Sequence, residues 1–277
     1  MAKKFTNNHP HRPEHKQPQE PAHTQPADKP PAPNRTGDKI AIPGNYQYKA
    51  FHTGSPLQRA WHRFKLSSAI RNLNILPGQH ILDAGCGSGM LSALIGQENP
   101  DVSVTGLDGN KDAIAFCRTQ WKGLPNLHFD EGTIDDLTHI PEASIDGIAF
   151  LEVIEHITVQ QAIQVLHSFS RILKKGGLLV ISTPNRKSAW PLLEYTMDLL
   201  RLAPRLKDDQ HEQLYSGKQL QAIAAKAGLT AIKKQRINFI APWLAIFSQK
   251  LALRTHSWEE RQNWTPGALL LYTFVKP

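Results

Sequence analysis

Three closely spaced glycines stand between a predicted strand and a predicted helix. They are Gly85, Gly87 and Gly89 in the segment ILDAGCGSGM, which also carries Asp83. Glycine lets the backbone turn tightly and come close to a ligand. A dinucleotide-binding fingerprint would have its third glycine at position 90, which is a methionine, and the Lys-Ser/Thr pair of a phosphate-binding P-loop does not follow. The segment therefore indicates a ligand-binding turn that differs from both motifs.

An aspartate at the end of the second predicted strand adds another ligand contact. Asp108 follows Gly89 by nineteen residues, in the segment VTGLD. A carboxylate in this position can accept hydrogen bonds from both hydroxyls of a ribose. Either feature alone also fits a tight turn and a surface aspartate. Together they predict a ligand that contains a nucleoside.

Two carboxyl groups and an imidazole lie close together after the fourth predicted strand. The segment EVIEH holds Glu152, Glu155 and His156. If a helical turn begins at Glu152, the three side chains share one side of it. They could then bind a divalent metal, or His156 could act as a general base beside Glu152. The alternative is structural, with solvated glutamates and a histidine that hydrogen-bonds a neighbouring loop.

Strands and helices alternate along the middle of the chain. Short apolar segments rich in β-branched residues predict strands, and the amphipathic segments between them predict helices. Asn110 is a suitable N-cap, and Lys174 and Lys175 followed by Gly176 suit a helix C-terminus. This pattern predicts the α/β class with a doubly wound, mostly parallel sheet, whose ligands bind at the carboxyl ends of the strands. The predicted strands are 80–84, 102–108, 127–130, 145–152 and 178–183, and the predicted helices are 90–95, 110–121 and 159–174.

The segments on either side of this core predict further elements. Residues 41–75 fit a loop that leads into an amphipathic helix, and the closing segment GALLLYTFVKP fits a last strand. Apolar helical stretches at Leu192–Leu202 and Ile237–Leu253 flank a helix over Lys218–Ala227, which has Ser216 as its start. These stretches predict a C-terminal helical cap on the sheet.

Composition sets the first 40 residues apart and bounds the partners of the rest. Residues 1–40 contain eight of the 20 prolines and four of the 13 histidines, and they have too few apolar side chains to offset the entropy of ordering. We therefore expect a disordered Pro/His-rich tail at 1–40. The net charge of +8 suits nucleic acid or an anionic membrane surface as a partner, although a merely basic surface accounts for it as well.

Cysteine usage and hydropathy indicate the compartment. Two cysteines, Cys86 and Cys117, do not make a disulfide framework and suit a reducing environment. No run reaches the ~20 apolar residues of a membrane-spanning helix, and the N-terminus lacks the apolar core of a secretory signal. We expect a cytoplasmic location, to which peripheral contact with a membrane can be added.

Four segments, in this order, resemble the class I S-adenosylmethionine-dependent methyltransferases: ILDAGCGSG, VTGLD, EGTIDDL and GIAFLEVIEHI, between Gln79 and Pro184. The resemblance implies a Rossmann-like methyltransferase domain over 41–277, with a cofactor-binding core at about 79–184 and a C-terminal cap and last strands at 185–277. It implies S-adenosyl-L-methionine as the cofactor. The implied cofactor-binding residues are Asp83 and Gly89 in the glycine-rich turn, Gly85 and Gly87 beside the amino-acid part, Asp108 at the ribose, Thr133, Ile134 and Asp135 at the adenine, and Leu151 beside the methionine part.

A narrower resemblance rests on LEVIEHI and on the later segment STPNR at 182–186, which are similar to the ubiquinone-pathway O-methyltransferases. It implies methyl transfer to an oxygen of a quinol- or phenol-type acceptor, small or lipid-like. Because such an acceptor has to lose a proton, we take His156 and Glu152 as the candidate catalytic residues. Some members of that family bind magnesium at this motif, which would make Glu152, Glu155 and His156 ligands of Mg²⁺. After about Arg205 the chain departs from the closing pattern of that family.

Two further functions stay open. A basic surface with aromatic residues would suit an RNA methyltransferase, but no Asn/Asp-Pro-Pro-Tyr motif follows the fourth predicted strand, so the sequence favours a small-molecule or lipid-like acceptor over nucleic acid. The other function is that of a non-catalytic, cofactor-binding partner subunit. The predicted cap is either a lid on the sheet or a membrane-facing entrance for a lipid-like acceptor. Its aromatic and cationic residues include Trp190, Tyr195, Arg201, Arg205, Phe239, Trp243, Phe247 and Lys250.

Overall fold

A single twisted sheet organises the described part of the chain. The computed structural model describes residues 43–188, 213–262 and 266–277, and within them the strands lie in the order β3-β2-β1-β4-β5-β7-β6. The first five strands along the chain are parallel, whereas β7 is antiparallel to both β5 and β6. The strands are β1 (His80–Ala84), β2 (Ser103–Asp108), β3 (Leu127–Glu131), β4 (Ile145–Leu151), β5 (Leu173–Pro184), β6 (Thr230–Ile237) and β7 (Leu269–Val275).

Helices cover both faces of this sheet. They are α1 (Tyr46–His52), α2 (Pro56–Leu73), α3 (Met90–Glu98), α4 (Lys111–Gln120), α5 (Val159–Ile172), α6 (Gly217–Lys226), α7 (Ala241–Leu244) and α8 (Gln249–Arg261), with a 3₁₀ turn at Ile154–His156. Successive residues of β1 point to opposite faces, so Ile81 packs in a buried cluster with α2 and α3, and Leu82 in one with α5 and α6. The prediction of a doubly wound, mostly parallel α/β sheet is confirmed.

The strand order reverses between β1 and β4. From β1 the chain builds β2 and β3 outward on one side, and it then returns to place β4 on the other side of β1. In sheets of this kind a crevice forms at the carboxyl ends of the two strands that flank the reversal, and ligands bind there. The ends of β1 and β4 are therefore where a site is expected.

Several local signals act as the sequence predicts. The Asn110 side chain accepts hydrogen bonds from the backbone N–H groups of Asp112 at 3.0 Å and Ala113 at 3.3 Å, and α4 begins directly after it. Ser216 caps α6 in the same way, by accepting a hydrogen bond from the N–H of Gln219. The first and last strands are also confirmed.

The predicted helix over 159–174 extends two residues too far, and the strand after it begins earlier than predicted. Lys174 and Gly176 belong to β5, which starts at Leu173. The Lys174 ammonium lies 2.8 Å from both carboxylate oxygens of Asp146 on β4, and the Gly176 N–H donates to the Lys276 carbonyl at 2.8 Å. Contacts with the neighbouring strands therefore outweigh the helix-ending signal.

The apolar stretch Ile237–Leu253 is not one helix, and the prediction that it is one is wrong. Ile237 ends β6, a strand that the sequence analysis missed, and the short α7 and the start of α8 follow. Between them the buried Asn238 has a left-handed backbone with φ 61°, and its side-chain amide donates to the Trp61 carbonyl at 3.1 Å. This turn directs the chain away from the sheet and onto α2.

Other predictions fall where the structure gives no description. The predicted tail at 1–40 and the predicted helix at 192–202 lie outside the described residues, as do Trp190, Tyr195, Arg201 and Arg205. Among the helices that are described, none has the length and apolar character needed to cross a membrane.

Candidate functional site

The glycine-rich turn connects β1 to α3 in a backbone conformation that requires glycine. Gly85, Gly87 and Gly89 have φ values of 77°, 52° and 69°, in the left-handed region that other residues adopt only at a cost. A Cβ at Gly85 would also overlap the side chain of Val153, and one at Gly89 would lie 2.8 Å from the Phe129 ring. The turn can therefore keep this shape only with glycine at these positions.

Asp108 holds this turn in place from the end of β2. One carboxylate oxygen accepts a hydrogen bond from the Gly87 N–H and the other accepts one from the Asn110 N–H, both at 2.8 Å. The carbonyl of the preceding residue, Leu107, accepts from the N–H groups of Gly85 and Cys86 at 2.7 and 3.0 Å. The structure thus brings Asp108, the residue predicted to bind a ribose, into direct contact with the glycine-rich turn.

Two free thiols lie beneath the same turn. The Cys117 Sγ donates to the Gly87 carbonyl at 3.2 Å, and Cys86 and Cys117 are both buried. A hydrogen bond with Cys117, together with burial, raises the pKa of the Cys86 thiol well above its ordinary value. Because a nucleophilic cysteine needs a lowered pKa, Cys86 does not fit a covalent mechanism, and Cys117 contributes a hydrogen bond that supports the turn.

A pocket lies at the carboxyl ends of β1 and β4. Asp83, Gly85 and Leu151 line it from the sheet, and Gln47, His62 and Lys65 line it from α1 and α2. The Asp83 carboxylate accepts a hydrogen bond from the Ser92 hydroxyl at 2.7 Å, and burial raises the pKa of Asp83 to about 6. Three residues predicted to bind the cofactor are therefore walls of one pocket.

Two basic side chains from α2 face this pocket, and the sequence analysis did not identify either of them. Lys65 is only 5% exposed, and burial together with the Lys65 ammonium lowers the pKa of His62 to about 3. His62 is therefore a neutral imidazole near neutral pH. The missed signal is a row of polar residues on the buried side of α2, where Lys65, Ser68 and Asn72 follow one another at helical spacing.

The predicted adenine-contacting loop follows β3 and lies next to Asp108. The N–H of Gly132 donates to the Asp108 carbonyl at 3.1 Å, and the N–H of Asp136 donates to the Thr133 carbonyl at 3.2 Å. The Ile134 side chain is buried in the core and only 6% exposed. A ligand could therefore contact this residue only through its backbone. This loop therefore begins beside Asp108, and the predicted contact of Thr133, Ile134 and Asp135 with an adenine stays a prediction.

Glu152, Glu155 and His156 do not share one side of a helical turn. Glu152 has a left-handed backbone with φ 56°, and the 3₁₀ turn begins only at Ile154. The Glu152 carboxylate accepts from the Ser182 hydroxyl at 2.7 Å, while the Glu155 carboxylate accepts from the Thr183 hydroxyl at 3.0 Å.

The two glutamates also differ in their exposure to solvent. Glu155 is 1% exposed, and burial and the nearby Glu152 carboxylate raise the pKa of Glu155 well above its ordinary value. Across the described residues, no three His, Cys, Asp or Glu side chains are grouped so that they could hold a metal ion. The arrangement of these three residues therefore does not fit the Mg²⁺ site that the resemblance implies.

Fold and site together define a class: a doubly wound α/β protein with a glycine-rich turn and a pocket at the carboxyl ends of its parallel strands. The profile of a family described as a methyltransferase domain matches residues 55–234. Because this match spans more than half of the chain, the chain belongs to that family, which places it among the S-adenosylmethionine-dependent methyltransferases.

Several curated relatives are ubiquinone biosynthesis O-methyltransferases. The protein from Paracidovorax citrulli is 27% identical over 159 residues, and the one from Alkalilimnicola ehrlichii is 30% identical over 158 residues. These alignments cover 56% and 55% of this chain and 63% and 60% of the relatives. The chain therefore spans about three fifths of the length of these relatives.

Solved structures share the fold. The magnesium protoporphyrin IX methyltransferase of Synechocystis PCC 6803 with bound SAH gives a TM-score of 0.58 at 13% identity, over 84% of this chain and 94% of that chain. A methyltransferase solved in complex with the Haloferax volcanii Trm112 activator gives 0.59 at 18% identity, over 84% and 94%. At such low identity the likeness concerns the fold alone.

Proposed function

We propose that this chain transfers the methyl group of S-adenosylmethionine to an oxygen of a small or lipid-like acceptor of the quinol or phenol type. The observation that carries the proposal is that the glycine-rich turn, Asp108 and a pocket come together at the carboxyl ends of the parallel strands. The names of the curated relatives, ubiquinone biosynthesis O-methyltransferases, support oxygen as the acceptor atom.

The residues around the pocket fit this cofactor. A Cβ at Gly85 or Gly89 would clash with the protein's own side chains, so glycine keeps the backbone of the turn in place beside the pocket. The Asp108 carboxylate keeps further lone pairs for two ribose hydroxyls. We assign the carboxylate of the methionine part to the Lys65 ammonium and its amino group to Asp83, because both line the pocket. Leu151 would lie beside the methionine part, and the adenine would meet Thr133, Asp135 and the backbone of Ile134.

The reaction requires two things of the protein, which are positioning of the acceptor and removal of its proton. When bound, S-adenosylmethionine supplies a methyl group that its sulfonium already activates. The chain has to align the acceptor oxygen, and it has to accept a proton, because a phenol has a pKa of about 10. We assign that proton to His156 or to the Glu152 carboxylate, which Ser182 orients. No step runs through Mg²⁺, because Glu155 is turned into the core against Thr183.

A labelling experiment tests the acceptor class. Methyl-labelled S-adenosylmethionine is incubated with the protein and a cell extract, which is then separated into lipid, RNA, protein and small-solute fractions. We expect label in the lipid or small-solute fraction, on an oxygen. Label in RNA would replace the proposal with the RNA methyltransferase. Binding of S-adenosylmethionine without label in any fraction would instead indicate a non-catalytic subunit.

A further inference from the structure

The connection between β6 and β7 is far longer than the pairing of these strands requires. The two strands are antiparallel neighbours, and such strands are commonly joined by two to five residues. Here residues 238–268 separate them, and the described part of this connection contains α7 and α8. The chain therefore adds a helical insertion at this corner of the sheet.

The inner side of the insertion is fixed onto α2. The His256 ring stacks on the Phe64 ring with centroids 4.3 Å apart, and its Nε2 lies 3.1 Å from the Ser68 Oγ. The buried Glu259 carboxylate accepts hydrogen bonds from the N–H groups of Ile240 at 2.7 Å and Ala241 at 2.9 Å. These contacts hold α7 and α8 as a rigid support.

The outer side of the insertion combines exposed apolar residues with cations. Phe247, at the turn between α7 and α8, is 84% exposed, and Lys250 and Arg254 are exposed on α8. The acidic residues of α8 point the other way, since Glu259 is buried and Glu260 accepts a hydrogen bond from Arg71 at 2.6 Å. We call this surface the α8 face; it comprises Ile246, Phe247, Lys250, Leu251, Arg254 and Trp258.

We propose that the α8 face docks onto an anionic lipid bilayer. An amphipathic helix that lies in a membrane interface presents large apolar and aromatic side chains together with lysine and arginine, and the positive charge of this face complements anionic headgroups. Exposed Ile246 and Phe247 at the helix-joining turn can enter the headgroup region, while Lys250 and Arg254 contact phosphate.

Docking there would bring the site close to lipid. The helix that supports the insertion, α2, also carries His62 and Lys65, which line the pocket. A lipid-like acceptor could then reach the site from the bilayer without crossing water. This consequence rests on the proposed function, whereas the docking itself does not.

Co-sedimentation of the full chain with vesicles tests the docking. We expect binding to phosphatidylcholine vesicles that contain phosphatidylglycerol, little binding to phosphatidylcholine alone, and weaker binding at high salt. Because each cation near an anionic surface contributes about fivefold to affinity, the double variant Lys250→Gln, Arg254→Gln should bind about 30-fold more weakly. Phe247→Ser should bind about tenfold more weakly.

Matched variants on β6 and α6 serve as controls. Ile232 is 57% exposed and Lys226 and Lys234 are exposed. Ile232→Ser and the double variant Lys226→Gln, Lys234→Gln therefore remove a large apolar side chain and two positive charges elsewhere on the surface. These variants should bind vesicles like the wild type. Equal loss in the controls, or equal binding to neutral and anionic vesicles, would overturn the proposal. Self-association or RNA binding that depends on the α8 face, in place of vesicle binding, would overturn it too.

Titration with S-adenosylhomocysteine separates this proposal from the proposed function. The α8-face variants should bind it as the wild type does, which also shows that they fold. Intact S-adenosylhomocysteine binding without vesicle binding in the wild type would overturn the docking alone. Vesicle binding without S-adenosylhomocysteine binding would overturn the proposed function alone.

Discussion

At the scale of single residues, the proposed function assigns Asp108 and Lys65 to opposite ends of the cofactor. Asp108 also braces the turn, because its carboxylate accepts hydrogen bonds from Gly87 and Asn110. Lys65 lines the pocket at the end of β1 and β4. The affinity for a ligand that has the nucleoside but no amino-acid part should therefore depend on Asp108 and not on Lys65.

We predict that Asp108→Ala weakens the binding of both S-adenosylhomocysteine and 5′-methylthioadenosine, whereas Lys65→Met weakens only the former. Hydrogen bonds to charged groups contribute about 1.5–3 kcal/mol, so each loss should be roughly tenfold to a hundredfold. Titration calorimetry measures it. Lys122→Met, an exposed lysine, is the control. If Lys65→Met weakened the binding of both ligands equally, the Lys65 ammonium would not bind the carboxylate of the amino-acid part of the cofactor.

Replacement of His156 tests the proposed proton transfer. His156→Ala should lower turnover by about 10²–10⁴-fold, the usual contribution of a general base, and should leave S-adenosylhomocysteine affinity unchanged. His167→Ala, at an exposed histidine on α5, should keep full activity. If His156→Ala is fully active while Glu152→Gln is not, the proton goes to Glu152.

Short sequence motifs made part of the site predictable. The rest could not be predicted, because it depends on backbone conformation and on packing between distant segments. The glycine-rich turn and Asp108 could be predicted because their signal is contained in short segments. The grouping of Glu152 with His156 could not, because it assumed a helical turn where Glu152 has a positive φ. Lys65 was missed because its burial depends on α2 packing over a strand end formed later in the chain.

At the scale of elements, α2 and α8 are joined by a partly buried polar cluster. Ser68 donates to the Glu260 carboxylate at 2.6 Å, Arg71 donates to the same oxygen at 2.6 Å, and His256 stands 3.1 Å from Ser68. Burial lowers the pKa of His256 to about 4, with the Glu260 carboxylate acting against this and Arg71 adding to it. The folded chain therefore keeps this imidazole neutral.

This cluster predicts a loss of stability in mild acid. Between about pH 6.5 and pH 4, the unfolded chain binds a proton at His256 that the folded chain does not bind, so the free energy of unfolding falls as the pH falls, by up to about 1.4 kcal/mol per pH unit. Urea unfolding measures this slope.

The matched variants isolate the contribution of His256. His256→Gln should reduce the slope of the free energy of unfolding against pH by the amount that corresponds to about one proton. The slope that remains includes a contribution from His62, whose pKa is also lowered. His167→Gln should not change it. An unchanged slope in His256→Gln would mean that His256 titrates normally in the folded chain.

Element boundaries were predictable where a local signal decides them. Asn110 caps α4 through its immediate neighbours, so its own segment suffices. The start of β5 depends on Lys174 meeting Asp146 on another strand, and the helices after Ile237 depend on Asn238 and Glu259 bonding to residues far along the chain. A reading of local hydropathy has no access to such contacts.

At the scale of the whole molecule, cofactor binding should stabilise the fold as a unit, because the pocket draws on α1, α2, β1 and β4. With S-adenosylhomocysteine at a hundred times its Kd, we expect about 2.7 kcal/mol of stabilisation, which corresponds to a Tm increase of roughly 5–10 °C for a domain of this size. Thermal unfolding monitored by fluorescence checks it. Asp108→Ala should show a smaller increase at the same concentration, and no shift in the wild type would contradict the proposed site.

The architecture as a whole was the most predictable feature. Alternation of strands and helices is repeated many times along the chain, so single errors such as the missed β6 leave the α/β class and the parallel core unchanged. The insertion at 238–268 was not predictable as such, because its apolar residues suit either a lid or a surface, and only the orientation of Phe247 and Glu259 distinguishes the two.

The position of β7 has a consequence during synthesis. β7 lies between β5 and β6, and it is made after both of them. At about 5–20 residues per second, translation of residues 238–268 takes roughly 2–6 seconds. Through that interval β6 has no place in the sheet and one edge of β5 has unpaired backbone groups, which readily recruit foreign strands. The nascent chain therefore stays open to mispairing at this edge until residues 269–275 are available to pair with it.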